Sequence, residues 1–230
     1  LPPGPQTRPK TAHNTQGERT IMNSPRPRLL DLYSCAGGAA VGYHRAGFDI
    51  VGVDIAFQKN YPYEFHQGDA LKYLLEHWQE FDAIHASPPC QAFTNAQRIQ
   101  GRDHPDYVTA TRSALELIGK PWIIENVPGA PLNNPVELCG AMFGLTTYRH
   151  RLFESNIQLT TPDHPAHEAP TAKMGRRPKP GEFMHVVGHF SGINEARHAM
   201  GIDWMSRDEM SEAIPPAYTE HLGRQLIQHI

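Results

Sequence analysis

Three features of this 230-residue sequence predict an α/β fold built on a mostly parallel, doubly wound sheet. Short apolar strands alternate with helical segments between Leu29 and Val127. Each early strand runs into a glycine-containing or polar turn, at Gly37-Gly38, Asp54 and Ser87-Pro88-Pro89. Those turns share the carboxyl edge of the sheet, where such folds bind ligands.

The elements follow in order. Leu29–Tyr33 is a short apolar strand, and a helix then runs to about Gly47. Ile50–Ile55 is the second strand, and Leu71, Leu74, Leu75 and Trp78 have helical spacing. Phe81–Ala86 is a strand, Asp106–Ile118 a helix and Trp122–Val127 a strand. Repeated β-α-β connections require parallel pairing with helices on both faces. Residues 155–190 hold many Pro, His, Gly and basic residues with little periodicity, and read as an irregular insert without a second core. A helix over Ile193–Met200 ends at Gly201. Ser206 and Glu209 form a capping box for the next helix, which Pro215-Pro216 stops. Leu222, Leu226 and Ile230 give the last helix its apolar stripe.

Residues 1–27 lack any hydrophobic period and read as a disordered leader, with Met22 a natural start. The expected division is this leader, a catalytic segment 28–153, a short insert 154–199 and terminal helices 200–230 that complete the catalytic unit.

Hydrophobic residues at 39% and charged residues at 20% fit a globular chain. No apolar run approaches the ~18 residues of a membrane span. Three cysteines, Cys35, Cys90 and Cys139, argue against a disulfide framework and for a reducing compartment. A net charge of −3 weighs against nucleic acid unless the basic residues cluster. Lys173, Arg176, Arg177 and Lys179 are such a cluster, although a solvated loop is the plainer reading.

Four motifs carry chemistry. In Asp31-Leu-Tyr-Ser-Cys-Ala-Gly-Gly, the two glycines permit a tight turn and close approach to a ligand. Asp54 stands about 20 residues on, where an acid can bind ribose hydroxyls, and Asp69 lies near the same edge. G-x-G-x-x-G is absent, which favours a nucleoside cofactor over a dinucleotide. Ser87-Pro-Pro-Cys90 puts a cysteine in a stiff loop, either a reactive thiolate or a buried structural thiol. Glu125, in Ile-Glu-Asn-Val-Pro, either faces that loop or is a solvated strand end. Arg149 and Arg151, two apart on an extended segment, point to one side and reach one anionic site or remain surface charges.

In this order the motifs resemble the DNA cytosine-5 methyltransferases, and most closely the compact enzymes of bacteriophages and actinobacteria. Asp31–Gly38 looks like the first cofactor motif of that family. Pro88-Pro89-Cys90-Gln91 looks like its nucleophile motif, and Glu125-Asn126-Val127 like its Glu-Asn-Val motif. Arg149-x-Arg151 and Glu212-Ala213-Ile-Pro-Pro resemble its arginine and C-terminal motifs. Cys35, Thr147 and Glu212 depart from the usual glycine, glutamine and asparagine.

The resemblance implies a Rossmann-like class I S-adenosylmethionine-dependent fold with a small irregular target-recognition insert. It implies Cys90 as nucleophile at cytosine carbon 6, Glu125 at ring nitrogen 3 and Arg151 at the ring carbonyl, with Arg149 fixing the cysteine loop. The methyl donor is expected against Tyr33, Ser34, Gly37, Gly38, Asp54 and Ile55, and also against Asp69, Ala70, Pro89, Glu212 and Ala213. Tyr33 would face the adenine, Asp54 the ribose and Asp69 the adenine amino group. Gln91, Thr94, Lys173, Arg176, Arg177 and Lys179 are the expected DNA contacts. The implied partner is double-stranded DNA, bound by a monomer in the cytoplasm of a bacterial or phage-infected cell, with a target base flipped out of the stack. An RNA cytosine methyltransferase of the same fold and a non-catalytic DNA-binding homologue are the alternatives. His164, His167, His185 and His189 have spacing that suits zinc, but no cysteine accompanies them, so no metal is expected.

Overall fold

The computed structural model describes residues 25–89 and 106–230. The expected leader up to residue 24 lies outside that range, as do Cys90, Gln91 and Thr94.

The chain opens with β1 (Arg28–Leu32), α1 (Gly38–Ala46), β2 (Asp49–Asp54) and β3 (Glu64–Gln67). It continues through α2 (Ala70–His77), β4 (Ala83–Ala86), α3 (Tyr107–Ile118) and β5 (Trp122–Asn126). Next come β6 (Val136–Leu138), a 3-10 turn at Gly140–Phe143 and β7 (Arg151–Ser155). Helices α4 (Ile193–Met200), α5 (Arg207–Glu212) and α6 (Pro216–Leu226) finish it. The described strands form one seven-stranded sheet in the order β3-β2-β1-β4-β5-β7-β6. The first five run parallel, whereas β7 is antiparallel to both β5 and β6. The order reverses between β1 and β4, and ligands bind at such a switch point.

Alternation along β1 explains the two faces. Leu29 packs with Tyr43 of α1 and Tyr218 and Leu222 of α6, while Leu30 and Leu32 pack with Leu74 of α2 and Leu115 of α3. Burying each such leucine contributes ~1.5–3 kcal/mol. Helices α1 and α6 are in close contact. A Cβ on Gly42 would fall well inside contact distance of Thr219 Oγ1 and Pro216 O, and 2.7 Å from Glu220 N. Gly42→Ala is therefore expected to force the helices apart and cost ~1–3 kcal/mol, read from urea unfolding; an unchanged midpoint contradicts this packing.

Several sequence expectations are corrected. β3 was not anticipated, because Glu64–Gln67 is too polar and half-exposed to stand out by its pattern. The antiparallel pair β6 and β7 was not anticipated either. Pro215-Pro216 starts a helix: α5 ends at Glu212, capped by Ala213, and Pro216 occupies the first turn of α6, where its missing N–H costs nothing. The insert is mostly irregular but has apolar packing of its own. Met184, Val186 and Phe190 join Ala196, Met200, Met205 and Met210 in a third cluster that reaches Ala36. The helix over Ile193–Met200 with Gly201 in the left-handed conformation, and the Ser206–Glu209 capping box, are as the sequence indicates.

Candidate functional site

The carboxyl ends of β1, β2, β4 and β5 surround a cavity of about 540 Å³, closed on the far side by Met205 and Ser211–Ile214. Its described lining carries four carboxylates, Asp31, Asp54, Glu125 and Glu212, against one guanidinium, Arg151. Such an imbalance favours a ligand that brings positive charge.

Asp54 ends β2 and is buried. Each of its oxygens accepts one backbone N–H, from Cys35 and Ala56, both at 3.0 Å. One further acceptor site per oxygen remains for hydroxyl groups. Beside it Ile55 is 72% exposed, an apolar lip next to an acid. Asp31, fully buried, pairs with His85 Nδ1 at 2.8 Å and accepts from Tyr61 Oη. Burial raises the Asp31 carboxyl, and the His85 contact opposes that rise. The sequence reading did not single out His85, which looks like an ordinary strand residue. Burial first, then Asp54 and Glu212, pushes the Cys35 thiol up to about 12, so it stays protonated at neutral pH.

Ser34, Ile55, Pro89, Ala213, Tyr33, Gly38, Asp54 and Glu212 line the cavity. Gly37, Asp69 and Ala70 are not among its lining residues. Asp69 is exposed and caps α2, accepting from Lys72 N at 2.8 Å. The glycines also answer to packing within the protein. A Cβ on Gly37, at φ +82, would lie 2.8 Å from Pro62 Cδ, and one on Gly38 would meet the Ile214 carbonyl. Both are small because protein packs against them. Asn126 of the Glu-Asn-Val motif also lines the cavity, as do Gln58 and Ser211, which nothing in their sequence context marked.

At the other end of the cavity, Arg151 Nε lies 2.9 Å from Glu125 Oε1. The contact is off-axis, and this buried oxygen has no hydrogen-bond partner among the described residues. The Arg151 Nη1 instead donates to His150 O at 2.9 Å. Asn126 Nδ2 donates to Pro88 O at 3.0 Å, and Asn126 Oδ1 accepts from Val127 N. This buried amide therefore holds the loop that leads into Cys90. Asn126→Ala leaves the Pro88 carbonyl without its donor and is expected to cost ~1–3 kcal/mol in chemical denaturation; wild-type stability would contradict the role.

Arg149 departs from expectation. It adopts φ 32, outside the extended region, although it and Arg151 both line a second cavity of about 360 Å³. Its guanidinium is buried and donates to Ala213 O at 2.7 Å, Ser211 O at 2.8 Å and Val186 O. Burial, aided by Arg151, lowers its pKa to about 9, which still leaves it charged at neutral pH. Tyr218 Oη donates to Arg149 O at 2.9 Å and supports the unusual backbone. Arg149 thus ties the insert to the α5–α6 turn, and its guanidinium makes its hydrogen bonds there and not to the described Pro88-Pro89 carbonyls.

The basic cluster is partly neutralised. Arg176 forms a two-pronged contact with Glu182 at 2.6 and 2.7 Å, and Lys179 N donates to the same carboxylate. Arg176, then the Lys179 amide, holds Glu182 down at about 2. A depressed carboxyl stabilises above the ordinary carboxylate value and loses that contribution only as pH falls toward 2, so the loop tie persists at neutral pH. Lys173, Arg177 and Lys179 are exposed. A correction concerns the histidines: Cys139 joins His150, His164 and His167 in one cluster, which His185 and His189 do not enter.

Residues 28–134 match the family described as C-5 cytosine-specific DNA methylase. The chain is 30% identical over 112 residues to the Type II methyltransferase M.FnuDI of Fusobacterium nucleatum, covering 44% of this chain and 33% of that protein. It is 30% identical over 122 residues to M.NgoPII of Neisseria gonorrhoeae, covering 46% and 35%. The matched regions thus span about a third of these relatives. In fold it is similar to a solved structure described as a DNA modification methyltransferase encoded within an E. coli prophage. That likeness has a TM-score of 0.63 at 15% identity and covers 88% of this chain and 99% of the other. The segment 28–134, which holds the first strand motif, the Pro88-Pro89-Cys90 motif and Glu125, is thus similar to the C-5 cytosine-specific DNA methylases.

Proposed function

We propose that the protein transfers a methyl group to carbon 5 of a flipped-out cytosine in DNA, through a covalent bond to Cys90. One observation carries this reading. A single cavity joins Ser34, Asp54 and Glu212 to Pro89, Glu125 and Arg151, so the donor and the target ring would meet in one space.

The lining fits S-adenosylmethionine. Asp54 retains acceptor capacity for ribose hydroxyls, Ile55 offers an apolar surface, and the carboxylates suit a ligand with ammonium and sulfonium charges. Ser34 Oγ and Ser87 Oγ, both on the lining, have no hydrogen-bond partner among the described residues and await one. When bound, this cofactor supplies an electrophilic methyl group.

The protein's own groups must make carbon 5 nucleophilic. A Cys90 thiolate adds to carbon 6, and the displaced electron pair becomes available at carbon 5. Glu125, whose Oε1 has no hydrogen-bond partner among the described residues, would share a proton with ring nitrogen 3 as negative charge builds. Arg151 donates to the ring carbonyl while staying beside Glu125. After methylation, loss of the carbon 5 proton restores the ring and expels Cys90. The target ring must leave the duplex, because both faces of these carbons are otherwise stacked.

The test is methyl incorporation from labelled S-adenosylmethionine into duplex DNA and into RNA of the same sequence. Incorporation into DNA supports the reading. Incorporation into RNA alone overturns its substrate, and cofactor binding without incorporation overturns its enzymology.

Phosphate contact is assigned to the exposed Lys173, Arg177 and Lys179, with Arg176 shaping their loop through Glu182. Neutralising Lys173 and Arg177 together is expected to flatten the log–log salt dependence of DNA binding by about two. An unchanged slope moves the DNA contact elsewhere.

A further inference from the structure

We propose that Cys139, His150, His164 and His167 form a structural zinc site that clips the insert onto the catalytic sheet. The site stands apart from the methylation chemistry and does not depend on it.

One ligand atom from each residue lies within 4.8 Å of every other. Cys139 Sγ is 3.3 Å from His167 Nε2, and His150 Nε2 is 3.3 Å from His164 Nε2. Zinc–nitrogen bonds of ~2.0–2.1 Å and a zinc–sulfur bond of ~2.3 Å give a tetrahedron with edges of about 3.3–3.6 Å. Two of its edges are therefore nearly at length. The widest separation needs to close by roughly 1 Å, which small ring rotations at His164 and His167, both exposed, can supply.

One thiolate and three imidazoles suit zinc and lack the oxygen donors that magnesium or calcium require. Four protein ligands fill a tetrahedron and leave no open position, which makes the site structural. Without a cation, the His150 and His164 nitrogens face each other and can share only one proton between them.

The placement explains the use. Cys139 follows β6 and His150 immediately precedes β7, so two ligands stand on the rigid sheet. His164-x-x-His167 lies in the first part of the insert, which has no helix or strand until α4. Tyr148 stacks on His167 with ring centres 3.7 Å apart, and its hydroxyl donates to Ala169 O, backing the ligand from the sheet side. Arg149 and Arg151 flank His150 in sequence. A metal here would fix where the irregular insert begins relative to the Glu125–Arg151 pair.

The test uses the full chain, stripped by a chelator and titrated with zinc alone, with metal content read after gel filtration. One zinc per chain and a higher melting temperature are expected. Cobalt in place of zinc should give a tetrahedral visible spectrum with a thiolate charge-transfer band, which Cys139→Ser removes. Should Cys139→Ser fail to fold, His164→Ala decides, because that side chain is exposed; it should weaken zinc binding by about ten-fold or more. His189→Ala, outside the cluster, should bind as the wild type does. Substoichiometric zinc at saturation, full affinity in His164→Ala, or a cobalt spectrum without the thiolate band would overturn the proposal.

Discussion

Cys90→Ser is expected to lower methyl transfer by on the order of 10³-fold or more while leaving S-adenosylmethionine binding nearly unchanged. A cysteine ionises near neutral pH when its surroundings assist, whereas a serine hydroxyl does not without a dedicated base. Among the described residues, the cysteine that lines the cavity is a poor substitute. Cys35 lines it, but burial and the nearby carboxylates push its thiol up to about 12. The Cys35→Ala/Cys90→Ser double variant should therefore be no less active than Cys90→Ser alone. A duplex carrying 5-fluorocytosine should trap wild-type protein covalently, since fluorine cannot leave as a proton. Denaturing gel electrophoresis reads the adduct, and substantial turnover by the serine variant would refute the nucleophile.

Arg149→Met is expected to destabilise the protein by about 3–5 kcal/mol, the second large effect. The buried guanidinium serves three backbone carbonyls, at Val186, Ser211 and Ala213, from two separate segments. Each carbonyl left unpaired costs ~1–3 kcal/mol, partly offset because a buried charge is also removed. Arg149→Lys should fail nearly as badly, because one ammonium cannot replace a planar fork with five donors. Urea unfolding measures the change. A variant of normal stability that has lost activity would show that Arg149 serves the active site, as in the role of fixing the cysteine loop that the sequence resemblance implied.

The two arginines illustrate what the sequence could and could not convey. Their spacing was legible, and so was the extended backbone that begins at Arg151. The direction of Arg149 depends on its positive φ and on carbonyls 37 to 64 residues away, which no local pattern encodes. The parallel part of the sheet was legible because buried strands such as Leu29–Leu32 are short apolar runs. Edge strand β3 was not, because only pairing with β2 makes Glu64–Gln67 a strand. Asp54 could be read as a ligand-edge acid, but its hold on the Cys35 and Ala56 amides required coordinates. Cys139 and His150 escaped notice as metal ligands because they lie 14 to 28 residues from their partners and outside the histidine-rich stretch.

Methylation at one atom is the central claim, and nucleoside mass spectrometry of DNA from cells expressing the protein tests it most directly. The account predicts 5-methyl-2′-deoxycytidine with the wild type, and none above background with Cys90→Ser. Methyl groups on an exocyclic amino nitrogen of cytosine or adenine, or 5-methylcytosine undiminished in the serine variant, would contradict it.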